Sequence, residues 1–243
     1  MRFLLVSVLL LTACDKPPMA VVPAAPLMIA AVAGDGQVAI VHRTVPISPT
    51  VIVTRNSQPV AGVAVVFNTS PDFVEWDALG YHKFGGVGVD TVFTDSSGIA
   101  KLKWALRSLA GPDSVTAMIP GAAPIVFVAT ALPDSPYGYT KIAGDTQTVA
   151  AGSSLVTLPA MKVTDIFANP VPGVSIVFVV TGGAGVITGA ATKTGSDGIA
   201  RPASWTLGGT PGTNTLVAYI PLANGAVLPF TFSETGAASS VSR

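Results

Sequence analysis

The sequence predicts an all-β protein: two tandem β-sandwiches behind an N-terminal export segment. Three observations predict this. Apolar residues alternate with period two, or come in short runs between Gly, Pro, Asn and Ser clusters, and no stretch sustains helical periodicity. An ordered set of motifs occurs twice. The length of 243 residues allows two units of about 100 residues, each able to bury its own core. Hydrophobic residues make up 49% and mean hydropathy is +0.61, values that prompt a search for membrane spans, yet that search finds only one short apolar run, at the extreme N-terminus. Lys plus Arg number 13 against 13 Asp plus Glu, and with no basic stripe to meet phosphates a nucleic-acid partner is excluded.

Residues 1–13 read as a signal peptide. Phe3 to Leu11 follows a single Arg2 and is far shorter than the roughly 20 residues of a spanning helix. Leu11-Thr12-Ala13-Cys14 resembles a bacterial lipobox, which implies a diacylglycerol thioether on Cys14 and Cys14 as mature N-terminus. Cys14 is the only cysteine, so no intrachain disulfide can form and packing must supply the stability. Acyl chains on Cys14 would make the membrane a partner, since two or more chains give stable anchoring. Asp15 resembles the signal that keeps some lipoproteins at the inner membrane. Residues 14–29, with Pro17, Pro18, Pro23 and Pro26, read as a semi-extended tether.

The two copies are expected at 30–132 and 140–236, joined by a stiff Pro-containing link at 133–139 and followed by a tail at 237–243. Gly34-Asp35-Gly36-Gln37 recurs as Gly144-Asp145-Thr146-Gln147, and Pro59 to Phe67 recurs as Pro170 to Phe178. Gly98-Ile99-Ala100 matches Gly198-Ile199-Ala200, and the block from Trp104 to Ala117 matches Trp205 to Ala218 with identical spacing. Alternation in Val63–Phe67 and Val174–Phe178 marks strands with one core-facing row. Ser97-Gly98 and Asp197-Gly198 read as hairpin turns. After the first, Ala100, Leu102, Trp104 and Leu106 share one face while Lys101 and Lys103 face water. The second copy has one extra residue in this stretch together with Pro202, which predicts a bulge or kink there.

Residues 141–235 resemble the bacterial immunoglobulin-like (Big) domain of the invasin and intimin type. The resemblance rests on Gly144-Asp145-Thr146-Gln147, on Val163 to Val174 with its Asn169-Pro170, on Ser196 to Ala200, and on Trp205-Thr206-Leu207-Gly208. Ala168 stands where the family usually carries Gly, and Arg55-Asn56-Ser57-Gln58 replaces the family's acidic turn in the degenerate first copy. The resemblance implies immunoglobulin-like sandwiches in a cell-envelope module that spaces, presents or adheres, with no chemistry of its own.

The residues themselves offer little chemistry. His42 and His82 lack partners at metal-ligand or triad-like spacing, and Gly182-Gly183-Ala184-Gly185 precedes no helix, so it reads as a turn. Asp35, Asp95, Asp145 and Asp197 read as turn residues, and Glu75 and Glu234 are the only glutamates. No catalytic residue, metal site or cofactor is expected. One segment breaks the repeat: Phe67 to Gly98 covers 31 positions against 20 from Phe178 to Gly198, an excess of 11 within residues 70–86. Its Phe73, Trp76, Tyr81, His82 and Phe84 are candidate contacts for a glycan or for an envelope or surface protein; the alternative is that they cap the domain's own core.

Overall fold

The computed structural model describes residues 24–69 and 88–238. Cys14, the tether to Pro23 and the segment with Phe73, Trp76, Tyr81, His82 and Phe84 lie outside the described residues. The described chain is all-β, without helix, and so holds no helix long and apolar enough to cross a membrane.

In the first unit the strands are β1 (Met28–Ala33), β2 (Gln37–Ile40), β3 (Thr50–Arg55), β4 (Gln58–Pro59), β5 (Ala64–Thr69), β6 (Val89–Phe93), β7 (Ile99–Lys101), β8 (Gly111–Met118) and β9 (Ile125–Leu132). The second has β10 (Gly138–Ala143), β11 (Thr148–Ala150), β12 (Ala160–Thr164), β13 (Ser175–Gly182), β14 (Val186–Thr188), β15 (Ala191–Lys193), β16 (Ile199–Ala200), β17 (Ser204–Thr206), β18 (Gly212–Pro221) and β19 (Val227–Ala237). Each unit sets a five-stranded sheet, in order β2-β9-β8-β5-β6 or β11-β19-β18-β13-β15, against a smaller sheet built on β3 or β12. The repeated Gly-Asp-x-Gln motif is where the chain leaves one sheet for the other. After β1, which pairs antiparallel with β3, the chain turns at Gly34 (φ 94°) and Gly36 (φ 67°), and β2 adds parallel to β9. A Cβ on Gly34 or Gly144 would lie 2.6 or 2.3 Å from backbone atoms, so glycine is required at both. Asp35 Oδ1 accepts from Val128 N and Asp145 Oδ1 from Ser233 N, while the amides of Gln37 and Gln147 donate to the carbonyls of Ile47 and Thr157.

The alternation of β5 and β13 places Val65 and Phe67, and Ile176 and Phe178, in the interior. The buried side chains form two clusters: one holds Phe67, Trp104, Val115 and Phe127, the other Phe178, Trp205, Leu216 and Phe232. Burial of such a side chain contributes about 1.5–3 kcal/mol.

Two local expectations are corrected. Gly98 (φ 72°) and Gly198 (φ 71°) do make turns, but each carries the chain from the large sheet to the small one, β6 to β7 and β15 to β16, so these are arches and not hairpins. Thr94 and Thr194 hold the arches shut: each hydroxyl donates to the carbonyl of Val60 or Val171 and accepts from the amide of Val63 or Val174. Pro202 marks more than a bulge. The strand breaks there, with β16 pairing β12 before it and β17 pairing β14 after it. Proline supplies no donor to continue the first ladder. In the link expected at 133–139, β10 already begins at Gly138, and Tyr139 packs against the second core.

Candidate functional site: the junction between the two sandwiches

The best-built polar cluster lies where the second unit meets the first. It starts from the loop after β12, Asp165-Ile166-Phe167-Ala168-Asn169. The first copy turns here in only two residues, Asn56 (φ 51°) and Ser57 (φ 63°), between the paired Arg55 and Gln58. In the second copy the longer loop closes on Asp165, which is 2% exposed. Its Oδ1 accepts from Phe167 N at 2.9 Å and Asn169 N at 2.8 Å, and its Oδ2 accepts from Asn169 Nδ2 at 2.9 Å and Asp134 N at 3.0 Å. A carboxylate taking four N–H donors repays its desolvation.

That loop presents Asn169, itself 2% exposed, to the first unit. Asn169 Oδ1 accepts from Ala110 N at 2.8 Å, and Nδ2 donates to Ser108 O at 2.6 Å as well as to Asp165. One carboxamide thus reads both edges of a backbone turn 59 and 61 residues away. Beside it the Phe167 ring stacks on His42, with centroids 4.3 Å apart and planes 24° apart, and packs at the margin of the first core. His42 has φ 60°, a left-handed conformation costly for a side chain. In the second unit the matching position is Gly152, φ 81°. His42 Nε2 is buried and makes no hydrogen bond. Ala168 also lies in this region (φ 66°), where a glycine would be unstrained.

A second cluster sits in the other copy of the sheet-switching motif. Lys141 Nζ pairs with Asp145, donates to Thr231 O at 2.8 Å and lies 5.2 Å from the centroid of the Phe232 ring. Burial pushes the Asp145 carboxyl up, but Lys141 and backbone donors outweigh it and hold the group below its ordinary value. Glu234, 1% exposed, occupies the register position of Ala129 in the first unit. Its Oε2 accepts from Gln147 N, Oε1 makes no hydrogen bond, and burial pushes its pKa above the ordinary carboxylate range. Neither cluster places a nucleophile beside a base, and among the described residues no group of three or more His, Cys, Asp and Glu could hold a metal ion.

None of the candidate contacts in 70–86, nor Cys14, falls among the described residues. Sequence reasoning missed the junction. Asn169-Pro170 reads as a fold-building motif and His42 as a histidine without partners; the signal that could have found them is the histidine standing where the repeat has Gly152.

The geometry defines a tandem immunoglobulin-like β-sandwich pair joined by a polar and aromatic clasp. No protein-family model matches the chain, and no curated protein sequence matches it. Solved structures do. InvD of Yersinia pseudotuberculosis is similar at TM-score 0.52 and 14% identity, over 89% of this chain and 59% of that one. The D0-D1 domain of intimin aligns at 19% identity and TM-score 0.30, covering 87% and 98%. FdeC, an Escherichia coli adhesin, aligns at 15% identity and TM-score 0.40, covering 87% and 64%. The likeness to InvD shows a shared fold, the tandem immunoglobulin-like sandwiches that the sequence motifs predict.

Proposed function

We propose that the chain is a lipid-anchored bacterial cell-envelope protein in which two immunoglobulin-like sandwiches act as a stiff spacer that presents or adheres, and not as an enzyme. The observation that carries this reading is the Asn169 carboxamide bonded to Ser108 and Ala110 across the junction. A flexible linker between independent beads would leave those polar groups to water. A buried side chain bridging two sandwiches, with stacked rings beside it, supports a fixed angle between them. The anchor rests on the Leu11-Thr12-Ala13-Cys14 motif. Metabolic labelling with palmitate tests it: label on the native chain and none on Cys14→Ser is expected, and unmodified native protein in the soluble fraction contradicts it.

A second reading, adhesion through residues 70–86, is favoured by the 11-residue excess over the matching segment of the second copy, 31 against 20 positions. Alanine at Trp76 and Tyr81 then abolishes binding to an arrayed glycan or surface extract without lowering the melting temperature. Loss of folding assigns those rings to the core.

A further inference from the structure

The outward face of the first unit's five-stranded sheet carries no charged residue at any described position of β2, β9, β8, β5 or β6. Its strand register exposes Val38, Ile40, Val126, Val128, Leu132 and Phe93 together, each at least 40% exposed. The second unit supplies an internal control, because the same fold in the same register has Thr148, Ala150, Thr231, Ser233, Ala237 and Lys193 at those six positions. The sandwich therefore does not need bulky apolar side chains there. Phe93 against Lys193 is the sharpest contrast: it stands on the edge strand, where a charge normally discourages pairing.

We infer that this face is a homodimer interface, covered by the same face of a second copy in aligned sheet-on-sheet packing. The area suffices. Strands of 4, 8, 8, 6 and 5 residues, rising about 3.3 Å per residue and spaced about 4.8 Å apart, give on the order of 500 Å² per copy, so two copies bury on the order of 1,000 Å², the threshold of a specific interface. A charge-free face is self-complementary, since the two-fold operation sets no like charges against each other. A bilayer is a poorer occupant, because the face offers no Lys, Arg, Trp or Tyr to meet headgroups.

The test uses the full chain in cells with Ser114→Cys at the centre of the face and a short bis-maleimide. A cross-linked dimer is expected. Installing the second unit's residues (V38T, V126T, V128S) should lower its yield at least tenfold while the melting temperature stays within a few degrees. Thr215→Cys, the matching position of the second unit, should not link. Absence of the dimer, its survival in the triple variant, or equal linking through Thr215→Cys overturns the proposal. Linking that emerges only after residues 70–87 are deleted assigns the face to that segment and overturns it as well.

Discussion

The imidazole of His42 and the ring of Phe167, from different sandwiches and 125 positions apart (167 − 42), stack with centroids 4.3 Å apart. Together with Asn169 this contact makes the junction more than a covalent link. Removing the carboxamide in Asn169→Ala withdraws a donor from Ser108 O and Asp165 and an acceptor from Ala110 N. A loss of about 1–3 kcal/mol is expected in the second unit. Denaturant unfolding followed by near-ultraviolet circular dichroism measures it, and a broadened small-angle scattering profile reports the loosened junction.

Backbone strain at the clasp predicts an opposite effect. Ala168 is held at φ 66°, where only glycine is unstrained. Ala168→Gly should stabilise the second unit by about 1 kcal/mol, raising its thermal midpoint. An unchanged or lowered midpoint would show that the loop relaxes the strain some other way.

Glu234 and Asp145 set opposite pH dependences. Burial raises the Glu234 pKa above its unfolded value, so its protonated form favours the folded state. That contribution is fully present below the ordinary carboxylate range and is lost as pH rises through the raised folded value. Asp145 is lowered, and its contribution is present at neutral pH and lost only as pH falls through that lowered value. Glu234→Gln should therefore raise the melting temperature at pH 7 by about 2–4 °C, with the gain fading toward pH 4. A gain independent of pH would contradict the assignment.

The separate buried clusters predict separable unfolding. Trp104→Ala, in the first cluster, and Trp205→Ala, in the second, should each cost about 3–5 kcal/mol. Calorimetry should show each substitution lowering chiefly its own unit's transition. A single transition lowered equally by both would mean the clasp fuses the units into one cooperative block.

What the sequence made legible follows from local physics. Period-two alternation marks Val65 and Phe67, Ile176 and Phe178, and Ala100, Leu102, Trp104 and Leu106 as core-facing rows, because a strand's two faces can be read from neighbouring residues. The arches at Gly98 and Gly198 read as hairpins in the sequence because a Ser-Gly or Asp-Gly turn looks the same whether its strands pair or part. Sheet membership is decided by Thr94 and Thr194, which bond across 31 to 34 residues in the first copy and 20 to 23 in the second. The junction was hidden for the same reason: Asn169 finds its partners about 60 residues away, and no local pattern announces them.

The central claim is a fixed angle between the sandwiches, and pulsed dipolar spectroscopy tests it most directly. Spin labels on Lys103→Cys and Asn224→Cys, both exposed, in a Cys14→Ser background would report one distance between the units. The account predicts a single narrow distribution that broadens when Asn169→Ala is added. A distribution already broad with Asn169 intact would contradict it.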